Sequence, residues 1–141
     1  MGLKKHPGWS ALDHPADVMI EITGKTFAEL CLNAARGLNH FLGEISSRDA
    51  PRVERLKIEG DTREEQIVNL LRELLFNYVT DSILVTDLNF GGHSDGSLLV
   101  DAFFCPAKRG SNSLEVKGIT YHGLSIEEHG DGFRARLVFD V

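Results

Sequence analysis

The chain is short of cysteine, of basic charge and of long apolar runs, and each shortage excludes a class of protein. Its two cysteines, Cys31 and Cys105, are far apart and cannot build a disulfide scaffold; they read as reduced core thiols of a cytoplasmic protein. No apolar stretch approaches the roughly 20 residues of a membrane-spanning helix. The opening Met1-Gly2-Leu3-Lys4-Lys5-His6-Pro7-Gly8 lacks the apolar segment of a signal peptide, so no membrane attachment is expected. Lys and Arg number 15 against 21 Asp and Glu, a net charge of -6, and there is no basic run. Nucleic-acid affinity rests on clustered cations facing phosphates, so this chain is not expected to be a principal RNA-binding surface. An acidic chain suits a basic protein partner or a cation instead. Repeats, low-complexity tracts and linkers are also missing, and 141 residues suggest a single domain over 1–141.

What is present is compact and well punctuated. Thr26, with Glu29 three residues on, spells a capping box. Phe27, Leu30, Cys31, Ala34, Leu38 and Phe41 then recur on one helical face, and Gly43 provides a stop. A second helix is expected from Asp61-Thr62, with Glu64 and Glu65 complementing the positive end of its dipole. Its broad stripe of Ile67, Leu70, Leu71, Leu74, Leu75 and Tyr78 predicts deep burial. The rest alternates as strands: Val18 to Ile22, Arg55 to Ile58, Ser82 to Phe90, Ser97 to Phe104, Leu114 to Tyr121, Ser125 to Glu128 and Phe133 to Val141. Gly91 to Gly96 reads as a hairpin connection longer than the tightest turns, and Gly130-Asp131-Gly132 as a second turn. Two main helices with a largely antiparallel sheet define the α+β class, a single-domain α/β sandwich.

Two places concentrate chemistry. Leu12-Asp13-His14-Pro15-Ala16-Asp17 gathers two carboxylates and an imidazole just before an apolar strand. Phe139-Asp140-Val141 sits at the far end of the last strand, with Asp140 on the face opposite Phe139. If the first and last strands are neighbours, Asp17, Asp140 and the carboxylate of Val141 converge, and three anions together demand a cation or protons. Oxygen ligands suit calcium or magnesium, and His14 would shift the preference toward manganese or zinc. The plainer alternative has Asp13 or Asp17 capping a turn and Asp140 as a solvated strand-end charge. His122 reads as a turn residue, Cys31 as core packing, Lys117 as a strand residue facing solvent or a partner, and the Glu64-Glu65 pair as helix-start electrostatics. The loop with His93, Ser94 and Gly96, followed by Ser97, joins two strands, which argues against a phosphate cradle or a hydrolase elbow.

The string Leu12-Asp13-His14-Pro15-Ala16-Asp17-Val18 resembles the signature of the archease family, usually D-H-T-A-D or D-H-S-A-D. Gly24-Lys25-Thr26 with Ala34-Ala35, Asn69 to Phe76, Glu115 to Leu124 and the closing Phe139-Asp140-Val141 agree with the same family. The resemblance runs from about Trp9 to Val141. It implies a small α/β domain binding a divalent cation, calcium, through Asp17, Asp140 and Val141; Asp13, His14 and Lys117 are further candidates from their own positions, as neighbours of that site or as functional residues. It further implies a non-enzymatic protein cofactor of an RNA ligase of the RtcB type. Such a cofactor promotes ligase guanylation and multiple turnover, and meets RNA only through the ligase, as in tRNA splicing. Pro15 departs from the usual Thr or Ser, removing a hydroxyl and an N–H. The stretch Phe104 to Gly110, read as a loop, matches the family poorly.

Two other functions compete. A metal-dependent phosphoester hydrolase would use Asp13, His14, Asp17 and Asp140 to activate water. A chaperone-like partner of RNA-modifying enzymes would need an exposed apolar surface, which the sequence does not reveal.

Overall fold

The apolar stripe after Thr26 forms α1 (Phe27–Leu42) and that after Thr62 forms α2 (Arg63–Asp81). Both start by the same device. Thr26 Oγ1 accepts from Glu29 N–H at 3.1 Å while Glu29 Oε1 accepts from Lys25 N–H at 3.2 Å. Thr62 and Glu65 repeat the pattern with Asp61, at 3.1 and 2.8 Å. The glutamate thus reaches one residue further back than in the usual capping box, and still satisfies a free donor. The ends differ. Gly43 stops α1 in an extended conformation (φ 177°), and a side chain there would strike Lys108 O at 2.5 Å, so glycine serves close packing rather than a left-handed turn. Ser82 ends α2 in the left-handed region (φ 54°).

The computed structural model describes residues 4–12, 17–94, 96–121 and 123–141. Its strands are β1 (Lys4–His6), β2 (Trp9–Leu12), β3 (Asp17–Gly24), β4 (Glu44–Ile45), β5 (Arg52–Glu59), β6 (Ile83–Ser94), β7 (Ser97–Lys108), β8 (Gly118–Thr120), β9 (Glu127–His129) and β10 (Gly132–Asp140). They form two antiparallel sheets. One runs β1-β2-β3-β10-β8, with β9 beside β10; the other centres on β7, flanked by β5 and β4 on one path and paired to β6 as well. α1 packs on β2, β3 and β10 of the first sheet and on β6 of the second. α2 packs on β5, β6 and β7 and also on β8. The helices therefore form a layer shared by both sheets. This explains why Leu30, Leu38, Ile67, Leu70 and Leu71 are fully buried. The α+β class read from the sequence holds.

Four local readings change. β1, β2 and β4 were not read as strands; β2 carries the buried Trp9, paired opposite Ile22. The hairpin is tighter than expected: β6 and β7 pair out to Ser94 and Ser97, with register shifts between Val85 and Asp87 and between Phe90 and Gly92. Bulges let the strands absorb Gly91 and Gly92 rather than expelling them into a loop. Phe104 to Lys108, read as the start of a loop, continues β7. Leu114 to Tyr121 is a strand only over Gly118–Thr120, so Lys117 lies just before β8 rather than within a strand.

Candidate functional site

β3 and β10 are adjacent and antiparallel, and their register sets Asp17 directly opposite Asp140. Alternation decides the face. Ile20 and Ile22 of β3, and Ala135, Leu137 and Phe139 of β10, are buried toward the helices. Asp17, Met19 and Glu21 then share the other face with Asp140, Val138 and Arg136. On this face Arg136 Nε lies 3.4 Å from Glu21 Oε2, its cross-strand partner. Two rungs along, the rung is Asp17 opposite Asp140, two carboxylates whose Cβ atoms in such a pair lie about 4.5–5.5 Å apart.

Asp140 is held from the side of β8. Thr120 Oγ1 donates to Asp140 Oδ1 at 3.1 Å, and Lys117 N–H donates to Asp140 O at 2.7 Å. Gly118 is the cross-strand partner of Asp140 on this side. A Cβ on Gly118 would lie 3.5 Å from Asp140 Oδ2, so the glycine keeps that oxygen uncovered. The anchor behind the site is Phe139, fully buried and in edge contact with Phe41 at 6.3 Å between ring centroids. Phe41 in turn meets His40 and Trp9, so an aromatic chain ties α1 to the end of β10.

The structure thus brings Asp17 and Asp140 together, with Val141 next in the chain and 40% exposed. It places the backbone of Lys117 against Asp140 and leaves its side chain exposed. Asp13, His14, Pro15 and His122 lie outside the described residues. Thr120 and Gly118 were not singled out from the sequence. The only signal was their place in the Glu115 to Leu124 stretch, since the register of a three-residue strand cannot be read from alternation. Among the described residues no three His, Cys, Asp or Glu side chains form a metal-binding group. The donors present are two facing side-chain carboxylates, oxygen ligands of the kind hard cations take. They fit a divalent cation in chemistry and in face, and a complete shell requires further oxygens.

The other candidates are structural. Cys31 is fully buried on α1, and burial pushes its thiol well above the ordinary range, so it is an inert core group. Cys105 is likewise buried. Glu65 belongs to the α2 cap. Glu64 Oε2 accepts from Ile126 N–H at 3.5 Å, which ties the segment before β9 to the start of α2. Ser97 is buried in the hairpin.

Fold and site define a small α+β domain carrying a carboxylate pair at the open end of its β3–β10 ladder. The model of the archease protein family (MTH1598/TM1083) matches residues 9–141, and the chain belongs to that family. It is 31% identical over 137 residues to a protein archease of Thermoplasma acidophilum, covering 94% of this chain and 93% of that one. With a protein archease of Methanosarcina barkeri the identity is 26% over 136 residues, covering 92% and 93%. The solution structure of Methanobacterium thermoautotrophicum protein 1598 superimposes with a TM-score of 0.76 at 24% identity, over 96% of this chain and all of that one. The crystal structure of an archease from Thermotoga maritima, described as a possible chaperone, gives 0.68 at 21% identity, over 92% and 94%. At these identities the two structures speak for the fold. Among the described residues no helix is long and apolar enough to cross a membrane.

Proposed function

We propose that this chain is a non-enzymatic activator of an RNA ligase of the RtcB type, acting through a divalent cation, calcium in the first instance, bound by Asp17, Asp140 and the carboxyl group of Val141. Membership of the family supports the reading, and the observation that carries it is the rung that sets Asp17 opposite Asp140. Like charges directly opposite one another on a sheet are destabilising. A fold that keeps such a pair, and fixes one member by a hydrogen bond from Thr120, is suited to a cation. Asp17 and Asp140 would hold the ion and Lys117 would stand beside it. The bound ion would supply a fixed positive charge at the protein surface.

Ligase guanylation is a phosphoryl transfer, which depends chiefly on positioning and charge neutralisation. A partner presenting an ordered carboxylate cluster can favour the ligase conformation competent for that step. RNA would be reached through the ligase, in keeping with the acidic charge of this chain, and the cytoplasm is the expected setting. The test is guanylation of the cognate ligase with labelled GTP, alone, with this protein, and with its Asp17→Ala variant. Acceleration by wild type but not by the folded variant is expected. No acceleration by wild type with an active ligase would overturn the reading.

One observation favours a second reading, general protection of a partner protein. Phe76 and Val79 on α2 are 60% and 69% exposed, and Val79 and Leu114 line one small cavity. These are apolar groups in water that the sequence pattern did not single out. Protection of an unrelated client by the Asp17→Ala variant would favour this reading.

A further inference from the structure

We propose that the cavity between α1 and β6 is a binding site for a phosphomonoester of nucleotide size. α1 presents Arg36, Asn39 and His40 to it, at the i, i+3, i+4 spacing of one helical face. Arg48, from the segment after β4, also lines it, as do Trp9 and Val85. The cavity measures about 420 Å³, well above the size of a bare phosphate and within the roughly 300–1,000 Å³ of small-ligand sites.

Charge marks this place out in a chain of net charge -6. Arg52, Arg55, Arg134 and Arg136 each meet a carboxylate. Among the described residues Arg36, like Arg72, meets none: its Nη1 donates to the neutral Asn33 Oδ1 at 3.3 Å. Asn33 is buried and anchored by its own Nδ2 on Thr23 O at 2.8 Å, so the guanidinium is positioned without being neutralised. Arg48 is exposed and has no ion pair among the described residues. No described Asp or Glu lines the cavity. Two guanidinium groups with open donors suit a phosphate oxyanion, which they bind by planar, charge-assisted hydrogen bonds.

A second, independent feature is Asn39. Its Nδ2 donates to Val85 O at 2.8 Å, which fixes the amide orientation. Its Oδ1 is then a buried acceptor with no partner among the described residues. Buried polar atoms are almost always paired, and this orphan belongs to a residue that lines the cavity, so a small shift of the amide toward an incoming donor would satisfy it. A phosphate carried next to a hydroxyl meets both demands, as a ribonucleotide does, whether free or at the end of an RNA. The site uses none of the residues assigned to the cation and stands or falls apart from the ligase reading.

Trp9 is the only tryptophan of the chain, lines the cavity and stands 4.9 Å from His40 between ring centroids, so it reports on occupancy. The intact protein, without ligase, is titrated at fixed ionic strength with inorganic phosphate, with adenosine monophosphate and with a 3′-phosphorylated RNA tetranucleotide. Indole fluorescence and heat are read in parallel. Saturable binding of the mononucleotide or the tetranucleotide is expected, weakened about tenfold or more by Arg36→Gln or Arg48→Gln, as for the loss of one charge-assisted contact. Asp17→Asn should bind as wild type does. Saturation by the mononucleotide assigns a free nucleotide, and saturation by the tetranucleotide alone assigns an RNA end. Three results would overturn the proposal: neither form binding by either readout, inorganic phosphate alone binding, or undiminished affinity in Arg48→Gln. Arg48 makes no hydrogen bond or ion pair among the described residues, so its replacement tests the site even if Arg36→Gln disturbs α1.

Discussion

Asp140 ends β10 directly across from Asp17, the first residue of β3, while Phe139 beside it is fully buried in the helix layer. The core therefore fixes the position of two like charges that electrostatics alone would separate. Without divalent ions, Asp140→Asn, whose amide oxygen can still accept from Thr120, should leave stability unchanged or raise it by about 0.2–1 kcal/mol, the cost of an opposed like-charge pair. With calcium at a hundredfold excess over its dissociation constant, wild type should gain about 2.7 kcal/mol and the variant nothing. Thermal unfolding with calcium and with chelator reads both. A tag appended after Val141 should lower cation affinity; an unchanged calcium titration in the tagged protein would remove Val141 from the site.

Phe139→Ala should be far more damaging than Val138→Ala. Phe139 is fully buried against Phe41, and its truncation should cost about 3–5 kcal/mol and loosen Asp140 with it. Val138 sits on the opposite, half-exposed face, where loss of two methyls should cost under about 1.5 kcal/mol. Urea midpoints of the two variants make the comparison. Equal losses would mean that the outer face is covered.

The two helix caps give a matched pair. Thr26→Ala and Thr62→Ala each remove an acceptor for a backbone N–H at 3.1 Å and should each cost about 1 kcal/mol. The sites are on different helices, so the double variant should show the sum. Chemical denaturation of the three variants tests both the size and the additivity.

Both helices were legible because their apolar spacing agrees with a start signal, the Thr26-Glu29 box in one and the Glu64-Glu65 pair of the first turn in the other, and because burial on several sides needs a broad stripe. β3 and β10 were legible because one face of each is core and the other is not. Their adjacency was legible only as a condition, since alternation states which way a side chain points and never which strand lies beside it. β1, β2 and β4 escaped because two to four residues are too few to show a period, and β8 was read too long, as part of Leu114 to Tyr121. Gly91 and Gly92 misled because bulges keep glycines inside a strand pair. The arginines of the α1–β6 cavity were hidden for another reason: Arg36 and Arg48 come from separate elements, and that neither meets a carboxylate among the described residues is visible only in three dimensions.

Arg55 and Asp101 give the surface of the second sheet a defined pH response. They are cross-strand partners of β5 and β7, with Arg55 Nε and Nη2 donating to the two carboxylate oxygens at 2.9 and 3.3 Å. The hydrogen bond from Arg55, aided by its charge, holds the Asp101 carboxyl below its usual range. A carboxylate whose folded value is depressed contributes stability that is present above its unfolded value, about 3.9, and lost as pH falls through the folded one. Asp101→Asn should therefore be less stable than wild type at pH 7, and the gap should close in strong acid. Arg55 is largely exposed, so the gap at pH 7 should be small and should narrow further in concentrated salt. Urea midpoints at neutral pH, at pH below about 3, and at neutral pH with added salt measure all three. A gap of the same size in acid would show that packing of the side chain, rather than its charge, holds β5 to β7 at this rung.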